Sequence, residues 1–205
     1  KELDAIAGNS RMGTSSDFHL ETLYVLVRAA KPQTVVETGV LYGASSGHIL
    51  AALAANGHGR LCSIDLGNKP GEPPHDFLVR PDLMSRWEYT AGDVREELPV
   101  LLARLGRVDM FHHDSLHTFE HMMWEFSTVS PHLGPEGILA SHDVFVSDSL
   151  RTIFKQNAFP AFCRQKELRH IMVRNSGIAL RHRRARASAP SVRRPSLEQP
   201  AWSRR

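Results

Sequence analysis

Long apolar runs are missing from this chain. Nowhere do the roughly 18–20 apolar residues needed to span a bilayer follow one another, which excludes a transmembrane helix. Cysteine is scarce: Cys62 and Cys163 cannot build a disulfide framework and match no zinc-finger spacing. Aromatic residues make up only 7% of the chain and do not interleave with basic ones in the manner of a nucleic-acid-binding surface. No secretory-signal pattern follows Lys1, and with so few cysteines the expected setting is a reducing cytoplasm. What is present is 41% apolar and 23% charged over 205 residues, the composition of a globular chain with a sizeable core.

The formal net charge of +3 is unevenly spread. Residues 181–205 hold eight arginines and one acid, Glu198, which leaves 17 basic and 21 acidic groups in residues 1–180. The body is acidic and the end is basic, so whole-chain charge is no argument for a nucleic-acid partner. Beyond Arg181 the chain has three prolines and no apolar period, and residues 184–205 read as an Arg/Pro-rich disordered tail.

Between residue 33 and about 157, strand-like and helix-like segments alternate. Strands are expected at Gln33–Glu37, Arg60–Leu66, Trp87–Thr90, Val108–His113 and Gly137–Ser141, with a closing antiparallel pair at Leu168–Val173 and Gly177–Arg181. Helices are expected at Asp17–Ala30, Ser45–Ala55, Asp93–Leu105, His117–His132 and Ser149–Gln156. Ser45 or Ser46 is the expected N-cap of the second helix, and the Gly/Pro-rich stretch 67–75 reads as a loop. The order predicts an α/β fold, a doubly wound, Rossmann-like and mostly parallel seven-stranded sheet with an antiparallel last strand and helices on both faces. Its organisation is an N-terminal helical cap over 1–30, a core over 31–183 and the tail. The Asp17–Ala30 helix is expected to pack on the sheet edge.

Open sheets of this kind bind ligands at the carboxyl ends of their strands. The first strand runs into Glu37-Thr38-Gly39-Val40-Leu41-Tyr42-Gly43-Ala44-Ser45-Ser46, a turn and helix start whose glycines permit close approach of a ligand and whose N–H groups are free to donate. The second strand ends in Asp65, placed for a carboxylate to accept both hydroxyls of a ribose. The glycine spacing is G-x-x-x-G, not the dinucleotide G-x-G-x-x-G, and the acid two residues before Gly39 disfavours a pyrophosphate while suiting an ammonium group. Those features favour S-adenosylmethionine (SAM) over NAD.

The segments VVETGVLYGASS, LCSIDL, TAGDVREELP, DMFHHDSLHTFEHMMWEF and GILASHDV, taken in order, resemble class I SAM-dependent methyltransferases. The closest likeness is to the small O-methyltransferases that include catechol-type and bacterial natural-product enzymes. The resemblance spans roughly residues 20–180. It implies that Glu37 and Gly39 lie by the amino-acid end of the cofactor, with Tyr42 and Gly43 in the same turn, and that Ser45 or Ser46 helps to hold its carboxylate. Asp65 is then the ribose ligand, Asp93 lies near the adenine amino group, and Asp114 also borders the cofactor. By itself, Asp93 could equally be the N-cap of its helix.

Two neighbouring strands end in polar groups, His112-His113-Asp114-Ser115-Leu116-His117 and Ser141-His142-Asp143, a candidate reaction centre. The resemblance implies a divalent metal held by Asp114, His142 and Asp143 to bind and acidify a substrate hydroxyl. His142 replaces an oxygen ligand of the family; imidazole suits manganese, iron or zinc better than magnesium. The resemblance also places His117 at a basic catalytic position, and an ordinary imidazole can accept a hydroxyl proton near neutral pH. His117 and His121 share a helix face, but HTFEH is not the H-E-x-x-H zinc motif. The remaining histidines are expected to be solvated or satisfied, and Met110, Met122 and Met123 to fill the core.

The expected function is methyl transfer to a hydroxyl of a small or medium-sized molecule, with residues 1–30, 67–86 and 144–166 covering the substrate. Two other readings remain at this point: an RNA methyltransferase that uses the basic tail, and a non-catalytic cofactor- or metal-binding module. No membrane partner is expected, and homo-oligomerisation is left open.

Overall fold

The computed structural model describes residues 17–144 and 158–180. The expected Ser149–Gln156 helix, the Arg-rich tail, and most of the proposed covering segments 1–30 and 144–166 lie wholly or partly outside them.

Seven strands, β1 (Thr34–Thr38), β2 (Arg60–Asp65), β3 (Trp87–Ala91), β4 (Val108–His113), β5 (Leu133–Ser141), β6 (Arg169–Val173) and β7 (Ser176–Leu180), form one sheet in the order β3-β2-β1-β4-β5-β7-β6. β1 to β5 are parallel, and β7 runs antiparallel to both β5 and β6. Among the described residues five helices cover it: α1 (Asp17–Ala30), α2 (Ala44–Asn56), α3 (Val94–Leu105), α4 (Phe119–Val129) and α5 (Ala158–Gln165).

Because successive strand residues point to opposite faces, Val35 and Val36, Met110 and Phe111, and Ile138 and Leu139 divide between two cores. Val35, Met110 and Ile138 pack with Leu23 and Val27 of α1 and Ile49, Leu50 and Leu53 of α2. Val36, Phe111 and Leu139 pack with Leu98 and Leu102 of α3, Met122 and Phe126 of α4, and Phe159 and Phe162 of α5. α1 therefore joins a core on one face of the sheet instead of lying on its edge. Burial pushes the Cys62 thiol up to about 11 and the Cys163 thiol up to about 12, so neither is poised as a nucleophile.

The crossover from β2 to β3 carries no α-helix, in keeping with the loop expected at 67–75, and only a short 3-10 helix, Pro81–Arg86, precedes β3. Two local departures from expectation concern the helices. α5 was not anticipated from the sequence, although Phe159, Phe162 and Cys163 form a buried stripe at helical spacing. α2 starts at Gly43, in the left-handed region at φ +84°, with no side-chain cap; the hydroxyls of Ser45 and Ser46 turn to Glu37 instead.

Candidate active site

The strand order reverses between β1 and β4, and there the two sheet halves leave a crevice at their carboxyl ends. A cavity of about 770 Å3 occupies it. Of the residues expected from sequence, Gly39, Tyr42, Ser45, Asp65, Asp93, Asp114, His117, His142 and Asp143 line it. Glu37, Gly43 and Ser46 are not part of its wall.

Glu37 is fully buried beneath the turn. Its carboxylate accepts from Ser45 (2.7 Å), Ser46 (2.5 Å) and Ser63 (2.8 Å), and His112 Nδ1 lies 3.3 Å away. An acid at the end of β1 thus anchors the first turn of α2 and the end of β2. Asp65 braces the same turn from the other side: it accepts from the backbone N–H of Val40 (2.7 Å), Leu41 (3.2 Å) and Gly67 (2.9 Å). Asp93 caps α3 through the Arg95 N–H at 2.8 Å while still bordering the cavity. Leu66 and Val94 add apolar surface at this end.

The opposite end is built from β4, β5 and the β6–β7 turn. His117 Nε2 lies 3.3 Å from Asp114 Oδ1 and 3.7 Å from Asp143 Oδ2. That nitrogen is sealed from solvent and makes no well-formed hydrogen bond. His142 Nδ1 lies 3.2 Å from Asp114, and its ring packs 4.4 Å from His19 of α1. Burial alone would raise the Asp114 carboxyl, but the imidazoles of His117 and His142 outweigh it and hold the group well below the ordinary range. His142 is shifted the other way: burial opposes its charge, yet the Asp114 and Asp143 carboxylates raise it. Asp143 sits at φ +49°, a conformation uncommon outside glycine, and Asn175 Nδ2 donates to its carboxylate. The donor atoms that converge within 4.8 Å of one another belong to Asp114, His117 and Asp143. His142, the imidazole expected in this set, places its Nδ1 3.2 Å from Asp114 Oδ1 and 3.6 Å from Asp143 Oδ1.

Several residues of this region were not singled out from the sequence. His19 reaches from α1 to bond Ser176 Oγ (2.7 Å) and His112 Nε2 (2.9 Å), and burial, then His112 and His142, lower its pKa to about 2. Glu125 of α4 is fully buried and gathers Thr38, His113, Ser115 and His121. A signal for Glu125 existed, since it falls within the apolar stripe Met122, Phe126, Val129 where an acid needs a reason. His19, His112, His121 and His142 are held in these buried networks, whereas His113 Nε2 and His117 Nε2 are buried without a well-formed partner; Met110 and Met122 are core, as expected.

A parallel-centred sheet in this order, with a glycine turn and an acid at the ends of β1 and β2, defines a Rossmann-like fold of the methyltransferase class. The chain belongs to the family described as "Methyltransferase domain", which it matches over residues 36–144, more than half its length. Among solved structures it is similar to an O-methyltransferase from Bacillus cereus in complex with SAH (13% identity, 88% of each chain covered, TM-score 0.63). It is also similar to a methyltransferase from Geobacter sulfurreducens (20% identity, 88% of this chain and 86% of that one, TM-score 0.63). A third is the O-methyltransferase TomG from Streptomyces achromogenes, involved in tomaymycin synthesis, in complex with SAM (17% identity, 82% and 81%, TM-score 0.60). Comparison with curated proteins yields no match. Among the described residues no helix is long and apolar enough to cross a membrane.

Proposed function

We propose that this chain is a SAM-dependent methyltransferase that transfers the methyl group to a hydroxyl of a small or medium-sized molecule. The observation that carries the reading is a single cavity with two chemically different ends. Gly39, Asp65 and Asp93 line one, and Asp114, His117, His142 and Asp143 line the other. O-methyltransferases with bound SAH or SAM among the structural neighbours favour the same reading.

The residues fit that cofactor. Asp65 spends three of a carboxylate's roughly four acceptor positions on backbone N–H groups, which leaves capacity for a ribose hydroxyl. Glu37 fixes the start of α2 from below, so the turn can present backbone donors to an anionic end. When bound, SAM supplies the electrophilic methyl. The chain's own task is to align the acceptor oxygen at about 3–3.5 Å from that carbon and to remove its proton. His117 is the proton acceptor in this reading, and the Asp114 and Asp143 carboxylates, 3.3 and 3.7 Å from its Nε2, orient the ring.

A divalent ion fits the same end. Asp114, Asp143 and the His117 or His142 imidazole would hold it, and it would act as a Lewis acid toward a substrate oxygen. The nitrogen–oxygen donor set suits manganese, iron or zinc better than magnesium.

Titration of the protein with SAM tests the core of the reading, and absence of binding would overturn it. Chelation followed by add-back tests the ion: manganese, iron or zinc should restore turnover better than magnesium, whereas turnover indifferent to chelation removes the ion.

A further inference from the structure

Glu125 is a buried acid that the chemistry above does not use. It sits on α4, one helical turn from core residues, with 0% exposure. An ionised carboxylate can only accept hydrogen bonds, so each of its partners must donate. Oε2 receives the Thr38 hydroxyl at 2.6 Å and His113 Nδ1 at 2.9 Å; Oε1 receives the Ser115 hydroxyl at 2.5 Å and His121 Nε2 at 2.7 Å. The interactions with His113, His121 and Ser115 together overcome the burial cost and hold its pKa below the usual range.

The four partners come from both walls of the cavity. Thr38 ends β1 and immediately precedes Gly39, where the cofactor turn begins. His113 ends β4, Ser115 lies within the segment that carries Asp114, Leu116 and His117 into the cavity, and His121 follows it on α4. The backbone joins the same walls at one place nearby, Asp114 N–H to Thr38 O at 2.8 Å. One carboxylate therefore spans from the cofactor wall to the reaction wall.

We infer that Glu125 is a positioning residue that sets the spacing between the cofactor turn after Thr38 and the Asp114–His117 segment, acting through Ser115 and His121. This rests on the functional reading above. The role follows from the donor count. In Glu125→Gln one of the two oxygens becomes an NH2 group, so one pair of partners, Thr38 with His113 or Ser115 with His121, must stop donating: the hydroxyl has to turn round to accept and the imidazole has to change tautomer or lose the bond. The carboxylate also selects the protonated nitrogens, Nδ1–H on His113 and Nε2–H on His121. An ordinary core acid that merely filled space would do neither.

The test is calorimetric titration with SAM of the full chain and of Thr38→Val, Ser115→Ala and the double variant, together with 15N NMR of the imidazoles. The two single substitutions should each weaken SAM several-fold. The double variant should bind much tighter than the product of the two losses predicts, because both act through Glu125. Glu125→Gln should weaken SAM about tenfold, equivalent to one lost hydrogen bond, and shift the His113 and His121 ring-nitrogen resonances. If Glu125→Gln does not fold, the Thr38/Ser115 cycle alone decides. Absence of SAM binding by the wild-type chain overturns the functional reading and this inference with it. Wild-type binding with fully independent Thr38 and Ser115 effects overturns this inference alone.

Discussion

Gly39 and Asp114 meet at the point where the strand order reverses: a β-carbon placed on Gly39 would overlap the backbone carbonyl of Asp114. Gly39 also lies at φ +84°, where an L side chain is strained. The glycine is thus a contact between the two walls of the cavity as well as a turn. Gly39→Ala should abolish detectable SAM binding and lower the melting temperature, because the new β-carbon would meet backbone atoms of Asp114 and Ser115, an overlap no rotamer change relieves. Calorimetry and a thermal melt check both effects.

Asp65 holds three backbone N–H groups and borders the cavity. Asp65→Ala should weaken SAM by about 10–100-fold, the equivalent of losing one or two charge-assisted bonds. Asp65→Asn, which keeps one acceptor oxygen, should lose less. Equal affinity of Asp65→Ala and wild type in a titration would remove Asp65 from the cofactor site.

In the proposed function His117 accepts the substrate proton, so His117→Ala should lower turnover by about 100-fold or more while SAM affinity changes little. The comparison of single-turnover rate with cofactor Kd separates the two. A loss confined to Kd would make His117 part of the binding wall instead.

His19 is held neutral, with its pKa lowered to about 2 by burial, then by His112 and His142, against a partial offset from Asp114. The unfolded chain gains a proton there near the ordinary histidine pKa of about 6.5, while the folded chain does not. Between that value and about 2 the unfolded state binds more protons, so this group's contribution to stability falls as pH falls below about 6.5. The raised His142 works in the opposite direction, losing its contribution as pH rises above its ordinary value. Melting temperatures should therefore fall as the pH drops from about 6.5 to 5, and His19→Gln should flatten that fall. An unchanged slope in His19→Gln would show that His19 is not the titrating group.

Much of the frame was legible because it rests on local rules. Short apolar runs, Val35-Val36, Met110-Phe111 and Ile138-Leu139, mark β1, β4 and β5, Gly57 ends α2, and Asp93 caps α3, all within a few residues of chain. Asp65, Asp114, His117 and Asp143 were legible for the same reason: strand ends at the carboxyl edge are where such a sheet binds ligands. The serines were read locally too, as a helix cap, and there the local rule lost to Glu37, which lies on another element and offers both hydroxyls a charged acceptor.

The sequence by itself determined the order of the seven strands, the glycine turn after β1 and the acids around it, since each is written in a short stretch of spacing and composition. Only the tertiary structure decided which buried groups share a partner. His19 and His112 lie 93 residues apart, and Thr38 and Glu125 lie 87 apart. Those pairings depend on how α1 and α4 seat on opposite faces of the sheet, and no local pattern encodes which donors an interior carboxylate will meet. A buried charge must still be satisfied, and packing chose Thr38, His113, Ser115 and His121 to satisfy Glu125.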